Sequence, residues 1–161
     1  MTEAPIVTYS KIGKPARVQD YYVRKVLGHG AFGEVFLAAK RGSVYAIKHM
    51  TKAHLNKNET DPRLHAMPVF DHPSVKKEIA MLKKLAHPNI VQMFELIVDN
   101  NRGEIFLVLE YVDGGTSQPR TPDGKLVPIP EATIKNYLRH FCLGLEYLHM
   151  QGIVHRQVGR P

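Results

Sequence analysis

The stretch Leu27-Gly28-His29-Gly30-Ala31-Phe32-Gly33-Glu34-Val35, with Val44-Tyr45-Ala46-Ile47-Lys48 shortly after it, decides the fold predicted for this 161-residue chain. Alternating residues on both sides of the glycines predict two strands joined by a glycine-rich turn. A third strand follows and carries Lys48. Backbone N–H groups in such a turn can donate to phosphate oxygens, so the stretch predicts a clamp for nucleotide phosphates.

The pattern Gly28-x-Gly30-x-x-Gly33 occurs in several kinds of site. In a dinucleotide-binding turn the glycines lie between a strand and a helix, and an acidic residue about twenty positions later binds the ribose. Here the glycines lead into a second strand, and Lys48 stands at that distance. A Walker loop requires lysine after its last glycine, where this chain has Glu34. A glycine-rich hairpin over phosphates and a structural hairpin without a ligand both remain open from the loop alone.

Lys48 and Glu78 favour the phosphate clamp. Side chains alternate along a strand, so Lys48 shares a face with Ala46, where a buried cation is costly without a counter-charge. Glu78 lies on the apolar stripe of a predicted helix, between Val75 and Leu82, and should point inward. Each residue supplies the partner that the other needs, and a lysine fixed in this way can hold the α- and β-phosphates. The alternative is two long side chains that reach solvent from separate faces.

Periodicity along the chain predicts three strands, a helix, two strands, a linker and a helix. The predicted strands are Tyr21 to Leu27, Glu34 to Lys40, Val44 to Met50, Ile90 to Val98 and Glu104 to Val112. The first helix begins near Asp71 and ends before His87, and the last covers 131–150. The predicted segments are a flexible tail (1–20), a strand-rich unit (21–115) with an extended insertion before its helix (51–70), and a linker followed by one helix (116–161).

Four short motifs occur here in an order typical of one known family. The three glycines and Val35 fit the pattern G-x-G-x-x-G-x-V, and residues 45–48 fit V-A-I-K apart from the tyrosine at the first position. Glu78 stands where that family has its helix-C glutamate, and residues 87–90, His-Pro-Asn-Ile, match a sequence common after that helix. On these motifs the chain resembles the N-terminal lobe of a eukaryotic-type protein kinase, and the resemblance covers residues 21–156.

The resemblance implies an α+β fold, in which a kinase-like N-lobe of five antiparallel strands and helix C precedes a hinge and one helix of an incomplete helical C-lobe. It implies ATP as the cofactor, with magnesium by family although its protein ligands are missing from this chain. Leu109 would be the gatekeeper, Glu110 to Val112 the hinge that binds adenine, and Glu78 the ion-pair partner of Lys48. The residues expected to bind ATP are Leu27, Gly28, His29, Gly30, Ala31, Phe32, Gly33, Glu34, Val35, Ala46, Lys48, Leu109, Glu110 and Val112.

Three features look like the calcium/calmodulin-dependent protein kinase kinases. They are the insertion before helix C, the proline-bearing stretch after the hinge, and the run Ile79 to Leu85. Kinases of that group are specific for serine and threonine and act on other kinases. The resemblance therefore implies a protein substrate such as another kinase.

The match to the family breaks at the catalytic loop. His155-Arg156 begins the H-R-D motif, but Gln157 stands where the family has the aspartate that accepts the substrate's proton. A neutral amide cannot be that base, and neither the catalytic-loop asparagine nor the D-F-G aspartate occurs in the 161 residues. We therefore expect a truncated chain that is inactive alone, without a complete catalytic set or a metal site. The alternative is a non-catalytic interaction or decoy fragment that binds a partner through the exposed helix 131–150.

Composition limits the other function classes. The net charge of +7 comes from scattered lysines and arginines without interleaved aromatic residues, so we expect no nucleic-acid binding. No apolar run is long enough to cross a bilayer and no secretory signal is visible, so we expect a cytoplasmic protein without membrane contact. The single cysteine, Cys142, fits a reducing compartment and is expected to be a core thiol.

Overall fold

A seven-stranded antiparallel sheet forms the largest part of the structure. The computed structural model describes residues 7–11, 13–30, 33–56, 60–115 and 119–155. The strands are β1 (Val7–Tyr9), β2 (Pro15–Val18), β3 (Tyr21–Gly30), β4 (Gly33–Lys40), β5 (Ser43–Met50), β6 (Met93–Asp99) and β7 (Glu104–Glu110). Their order across the sheet is β1-β2-β3-β4-β5-β7-β6, with antiparallel neighbours throughout. The five strands predicted from periodicity correspond to β3 to β7.

The sheet has an apolar cluster on each face, because side chains alternate along its strands. On the outer face, Ile47 and Phe106 are fully buried in a cluster that includes residues of β1 to β4. On the inner face, Met50 and Leu107 are equally buried and pack with residues of the helices. The inner cluster packs the sheet against the helices. The outer cluster brings side chains of β1 and β2 together with those of the other five strands.

The strands β1 and β2 lie in the segment predicted to be a flexible tail, so that prediction is wrong for these residues. Val18 is fully buried and Val7 is 7% exposed. Pro15 begins β2, a position where proline is tolerated, and Gly13 has a φ of 75° in the turn between the strands. Strands of three and four residues are too short to show a clear period, which is why the sequence pattern missed them.

Four α-helices and a 3₁₀ turn accompany the sheet in the described part of the chain. They are α1 (Lys52–Asn56), α2 (Pro62–Ala66), the 3₁₀ turn (Val69–Asp71), α3 (Pro73–Lys84) and α4 (Glu131–Met150). The two predicted helices correspond to α3 and α4. None of the helices within the described ranges is both long and apolar enough to cross a membrane.

The helices α1 and α2 and the 3₁₀ turn replace the extended insertion predicted for residues 51–70. Helices of five residues are too short for the 3.6-residue period to be visible. The start of α2 does carry a local signal in the sequence, an aspartate followed by a proline. Asp61 Oδ1 accepts a hydrogen bond from the backbone N–H of Arg63, and Pro62 is the first helical residue.

The chain divides into two compact units. The first contains the residues up to Leu85 together with Gln92–Tyr111, and the second contains Ala86–Val91 together with the residues from Val112 onward. The boundary predicted after Gly115 therefore lies earlier, between Tyr111 and Val112. The short segment between α3 and β6 belongs to the second unit, although it lies within the strand-rich part of the sequence.

In the second unit, α4 packs against the segment 86–91. The hydroxyl of Tyr147 accepts a hydrogen bond from the backbone N–H of Ala86 at 3.0 Å, and its ring stacks on that of His87 with centroids 4.9 Å apart. Cys142, expected to be a core thiol, is exposed. It lies on the opposite side of the helix from Gly144, one of the buried residues of α4.

His49 lies at the centre of a polar network on the outer face of the first unit. Its side chain is buried, and its ring stacks on Phe106 with centroids 4.5 Å apart. Its Nε2 forms a hydrogen bond with Glu104 Oε2 at 2.8 Å, and the hydroxyl of Tyr9 donates to the same oxygen at 2.6 Å. Burial lowers the pKa of His49, and the hydrogen bond to Glu104 opposes that shift. The network ties β1 to β5 and β7.

We expect the free energy of unfolding to fall as the pH drops below about 6.5, the ordinary pKa of histidine. In this range the unfolded chain takes up a proton at His49 that the folded chain resists, because the pKa of His49 is lowered in the fold. Urea unfolding at about pH 7.5 and about pH 5.5 measures the effect. The native chain should lose more stability between the two conditions than the His49→Gln variant.

The matched control for this experiment is His140→Gln, because the side chain of His140 is exposed on α4. This variant should lose as much stability on acidification as the native chain. Equal losses in the native and His49→Gln chains would contradict the assignment of the pH dependence to His49.

Candidate nucleotide-binding site

The inner face of the sheet carries predicted binding residues from three strands. Val35 of β4 lies directly opposite Lys48 of β5, and Ala46 of β5 lies directly opposite Leu109 of β7. Directly opposed residues of antiparallel strands point to the same face, so these four side chains share it. Leu37, opposite Ala46 on β4, extends the apolar surface although it was not among the predicted ATP-binding residues. Its spacing of two from Val35 was the signal that could have identified it.

An ion pair joins this face to α3. Lys48 Nζ lies 2.5 Å from Glu78 Oε1, and the two side chains are only 16% and 20% exposed. α3 packs on the sheet through Val75 and Ile79, which are 0% and 6% exposed, so Glu78, between them in sequence, is directed toward β5. The opposite charge offsets the desolvation of the lysine cation. The structure thus fixes a cation on the inner face of the sheet.

The carboxylate of Glu78 also has one oxygen that can still accept a hydrogen bond. Its second oxygen, Oε2, is buried and has no hydrogen-bond partner among the residues that the structure describes. A buried acceptor without a donor is unfavourable. This oxygen is therefore a place where an N–H or O–H donor would stabilise the site.

The two strands of the glycine hairpin, β3 and β4, differ in how much space lies beside their glycines. Gly33 has a φ of 152°, and a Cβ added there would lie 1.7 Å from the carbonyl oxygen of His49. The close approach of β4 to β5 therefore requires glycine at this position. At Gly28, an added Cβ would meet no described atom within 4 Å. Two further residues predicted to contact ATP lie outside the described residues: Ala31 and Phe32.

The side chains of His29 and Glu34 belong to the outer face. Neighbours in a strand alternate, so Glu34 points away from the face that carries Val35. Its Oε1 accepts a hydrogen bond from Lys14 Nζ and lies against His29 Nε2, each at 3.0 Å. The hydrogen bond from Lys14 is the main cause of a lowered pKa of Glu34. The structure therefore separates these two predicted ATP-binding side chains from that of Lys48.

The remaining predicted site residues are distributed over both units. Leu27 and Glu110 are exposed residues of the first unit, and Val112 is an exposed residue of the second. His155, the first residue of the H-R-D remnant, is also exposed. The rest of that remnant lies outside the described residues: Arg156 and Gln157.

The inner face is suited to an anionic ligand with an apolar part. Lys48 offers a fixed positive charge beside the apolar side chains of Val35 and Ala46. Within the described ranges, no three His, Cys, Asp or Glu side chains lie close enough together to hold a metal ion. The described residues therefore fit the nucleotide that the resemblance implies.

Comparison with family models identifies one match. The model described as the protein kinase domain matches residues 21–159, which is most of the chain. The match begins at the first residue of β3 and includes the glycine hairpin, Lys48 and Glu78.

The chain is also similar to curated serine/threonine kinases. It is 38% identical over 144 residues to serine/threonine-protein kinase ssp1 of Schizosaccharomyces pombe, covering 88% of the chain and 21% of that protein. It is 37% identical over 155 residues to the calcium/calmodulin-dependent protein kinase kinase of Caenorhabditis elegans, covering 88% and 28%. It is 33% identical over 162 residues to SNF1-activating kinase 1 of Saccharomyces cerevisiae, covering 94% and 14%. The chain thus spans less than a third of the length of each of these relatives.

The two glycines of the hairpin should respond differently to alanine. Gly33→Ala should lower the free energy of unfolding by about 2 kcal/mol or more, because its Cβ would collide with the carbonyl oxygen of His49. Gly28→Ala, with open space around the added methyl group, should change it by less than ~1 kcal/mol. Urea unfolding of both variants measures the difference, and equal destabilisation would contradict the steric explanation.

Proposed function

We propose that this chain, which belongs to the protein kinase family, binds ATP on its first unit, with the phosphates held by the glycine hairpin and Lys48. The observation that carries this proposal is the 2.5 Å ion pair between Lys48 and Glu78 on the inner face of the sheet. The carboxylate holds the lysine in one position. A cation fixed in advance binds phosphate oxygens with a smaller loss of side-chain entropy than a mobile one.

The apolar part of the inner face supports adenine as the base. Val35, Leu37, Ala46 and Leu109 share the face with Lys48. Ala46 is small, so a planar ring can lie close to the strand, and covering apolar side chains removes them from water. We place the base on this surface and the phosphates toward the hairpin.

The phosphate acceptor that we propose is a serine or threonine of another protein kinase. The family is that of the protein kinase domain, and one of the relatives named above is a serine/threonine-protein kinase. One relative is named a protein kinase kinase, and another is named for activating SNF1. This segment would contribute the ATP-binding part of such a reaction, with magnesium supplying charge neutralisation when it is bound.

We further propose that the 161-residue chain does not transfer phosphate by itself. The supporting observation is Gln157, which stands at the position of the aspartate that accepts the substrate's proton in the family. A neutral amide cannot take up that proton. The chain can therefore bind ATP through Lys48 and the glycine hairpin without transferring its phosphate.

Replacement of Lys48 tests the ATP site. Lys48→Met should weaken the binding of a fluorescent ATP analogue about tenfold or more, because a hydrogen bond from a charged group contributes about 1.5–3 kcal/mol. A fluorescence titration measures the dissociation constants. Lys135→Met is the matched control, because it removes an exposed lysine of α4 that pairs with Glu131 and should leave binding unchanged. Equal binding by the native and Lys48→Met chains would show that Lys48 is not part of a phosphate site.

A second candidate function is a non-catalytic interaction through α4. The observation that favours it is an apolar stripe on the helix, in which Tyr137, Leu138 and Phe141 are 49%, 59% and 45% exposed. An exposed apolar surface of this kind is typical of a site that binds another protein. In this function the chain would be a decoy that competes with a related kinase for a shared partner.

A competition assay tests the decoy function. Excess chain should lower the rate at which a complete calcium/calmodulin-dependent protein kinase kinase phosphorylates its substrate, because the chain would occupy the shared partner. A Leu138→Ser/Phe141→Ser variant should lose this inhibition, since both side chains lie in the exposed stripe. The control without the complete kinase should show no phosphate transfer. Inhibition that is the same with the native chain and the variant would exclude the stripe as the binding surface.

A further inference from the structure

Two residues of the insertion pack beneath α3. Leu55 of α1 is 8% exposed, and Val69 of the 3₁₀ turn is 1% exposed. Both belong to the inner cluster that also buries Val75 and Ile79 of α3. The 3₁₀ turn contacts both α3 and β7. We call Leu55 and Val69 the brace.

The brace completes the apolar surface on which α3 packs, which we call the seat of α3. From the sheet, the inner cluster contains Met50, Ile105 and Leu107, and from the helix it contains Val75 and Ile79. The insertion supplies the remaining buried members of the cluster. At the surface, an ion pair of 2.9 Å between Asp71 Oδ1 and Lys76 Nζ joins the 3₁₀ turn to the first part of α3. The helix therefore rests on the insertion as well as on the sheet.

The position of Glu78 depends directly on this seat. Glu78 lies on α3 between Val75 and Ile79, so a movement of the helix that shifts these two side chains also shifts the backbone that carries its carboxylate. The Lys48–Glu78 contact of 2.5 Å has little room before it exceeds hydrogen-bond distance, which ends near 3.2 Å. Removing a buried side chain leaves a space into which neighbours relax only partly. A smaller residue in the brace would therefore displace α3 relative to β5.

We propose that Val69, supported by Leu55, is a positioning residue that sets α3 so that Glu78 meets Lys48, and that the insertion in this way raises the affinity of the first unit for nucleotide phosphates. The part that concerns affinity rests on the proposed ATP-binding function. Val69 acts through Glu78 and touches neither nucleotide nor reacting atoms. If Val69 were only a core residue, its replacement would lower the free energy of unfolding and leave the Lys48–Glu78 ion pair unchanged.

A double-mutant cycle without nucleotide tests the positioning. The coupling between Lys48→Met and Glu78→Gln is measured from urea unfolding, first in the native chain and then in the Val69→Ala chain. The proposal predicts that the coupling in the Val69→Ala chain falls to less than about half of its native value. Val18→Ala is the matched control, because Val18 is a fully buried valine of the outer cluster. It should leave the coupling unchanged while it destabilises the fold to a similar extent.

Binding of a fluorescent ATP analogue tests the second part. Val69→Ala should weaken binding about three- to tenfold in the native background and cause no further loss in the Glu78→Gln background, because both changes act through one carboxylate. Val69→Ile keeps a branched apolar side chain and should bind the analogue as the native chain does. Val18→Ala should not change binding. Where Val69→Ala does not fold, Leu55→Ala replaces it, because Leu55 lies nearer the surface of the same cluster.

The outcomes separate the two proposals. Unchanged Lys48–Glu78 coupling in the Val69→Ala chain, or an equal loss of coupling in the Val18→Ala chain, would overturn the brace. Equal loss of ATP-analogue binding from Val69→Ala with and without Glu78 would overturn it as well. Reduced coupling in a chain that binds no ATP analogue would instead support the positioning role and overturn the proposed ATP-binding function.

Discussion

The ion pair between Lys48 and Glu78 is the interaction on which the first unit depends. A cation and a carboxylate that are both largely buried must meet, because each is costly to bury alone. The hydrogen-bond ladder of the sheet positions Lys48, whereas the packing of Val75 and Ile79 positions Glu78. The geometry of the Lys48–Glu78 contact is therefore set by how firmly α3 packs on the apolar cluster beneath it.

The alternation of side chains assigns different tasks to the two faces of the sheet. Lys48 and Val35 face the inner side, and their neighbours His49 and Glu34 face the outer side, where they join polar networks with the N-terminal strands. A shift of one residue in the pairing of β4 and β5 would exchange these two sets. The pairing is thus fixed from both sides, by an apolar cluster with one ion pair and by a second cluster with buried polar contacts.

The sequence predicted the elements with a repeated pattern and missed those decided by distant contacts. Periods of two and 3.6 residues located β3 to β7, α3 and α4, and the position of Glu78 on its helix indicated the contact with Lys48. β1 and β2 are too short to show a period and are held by burial against strands far along the chain. Glu34 was expected at the ATP site from its motif, but strand alternation turns it outward to Lys14. Motif membership alone did not indicate which face a side chain occupies.

The close approach of Gly33 to the carbonyl oxygen of His49 limits the residues that the glycine hairpin can carry. The two arms of the hairpin are not equivalent, since β4 is packed against β5 without space for a single carbon atom, whereas Gly28 on β3 has open space beside it. The β4 arm can therefore carry only glycine at position 33, whereas the β3 arm has room for a side chain at position 28. In this hairpin a single carbonyl oxygen of the neighbouring strand β5 decides which arm can vary in sequence.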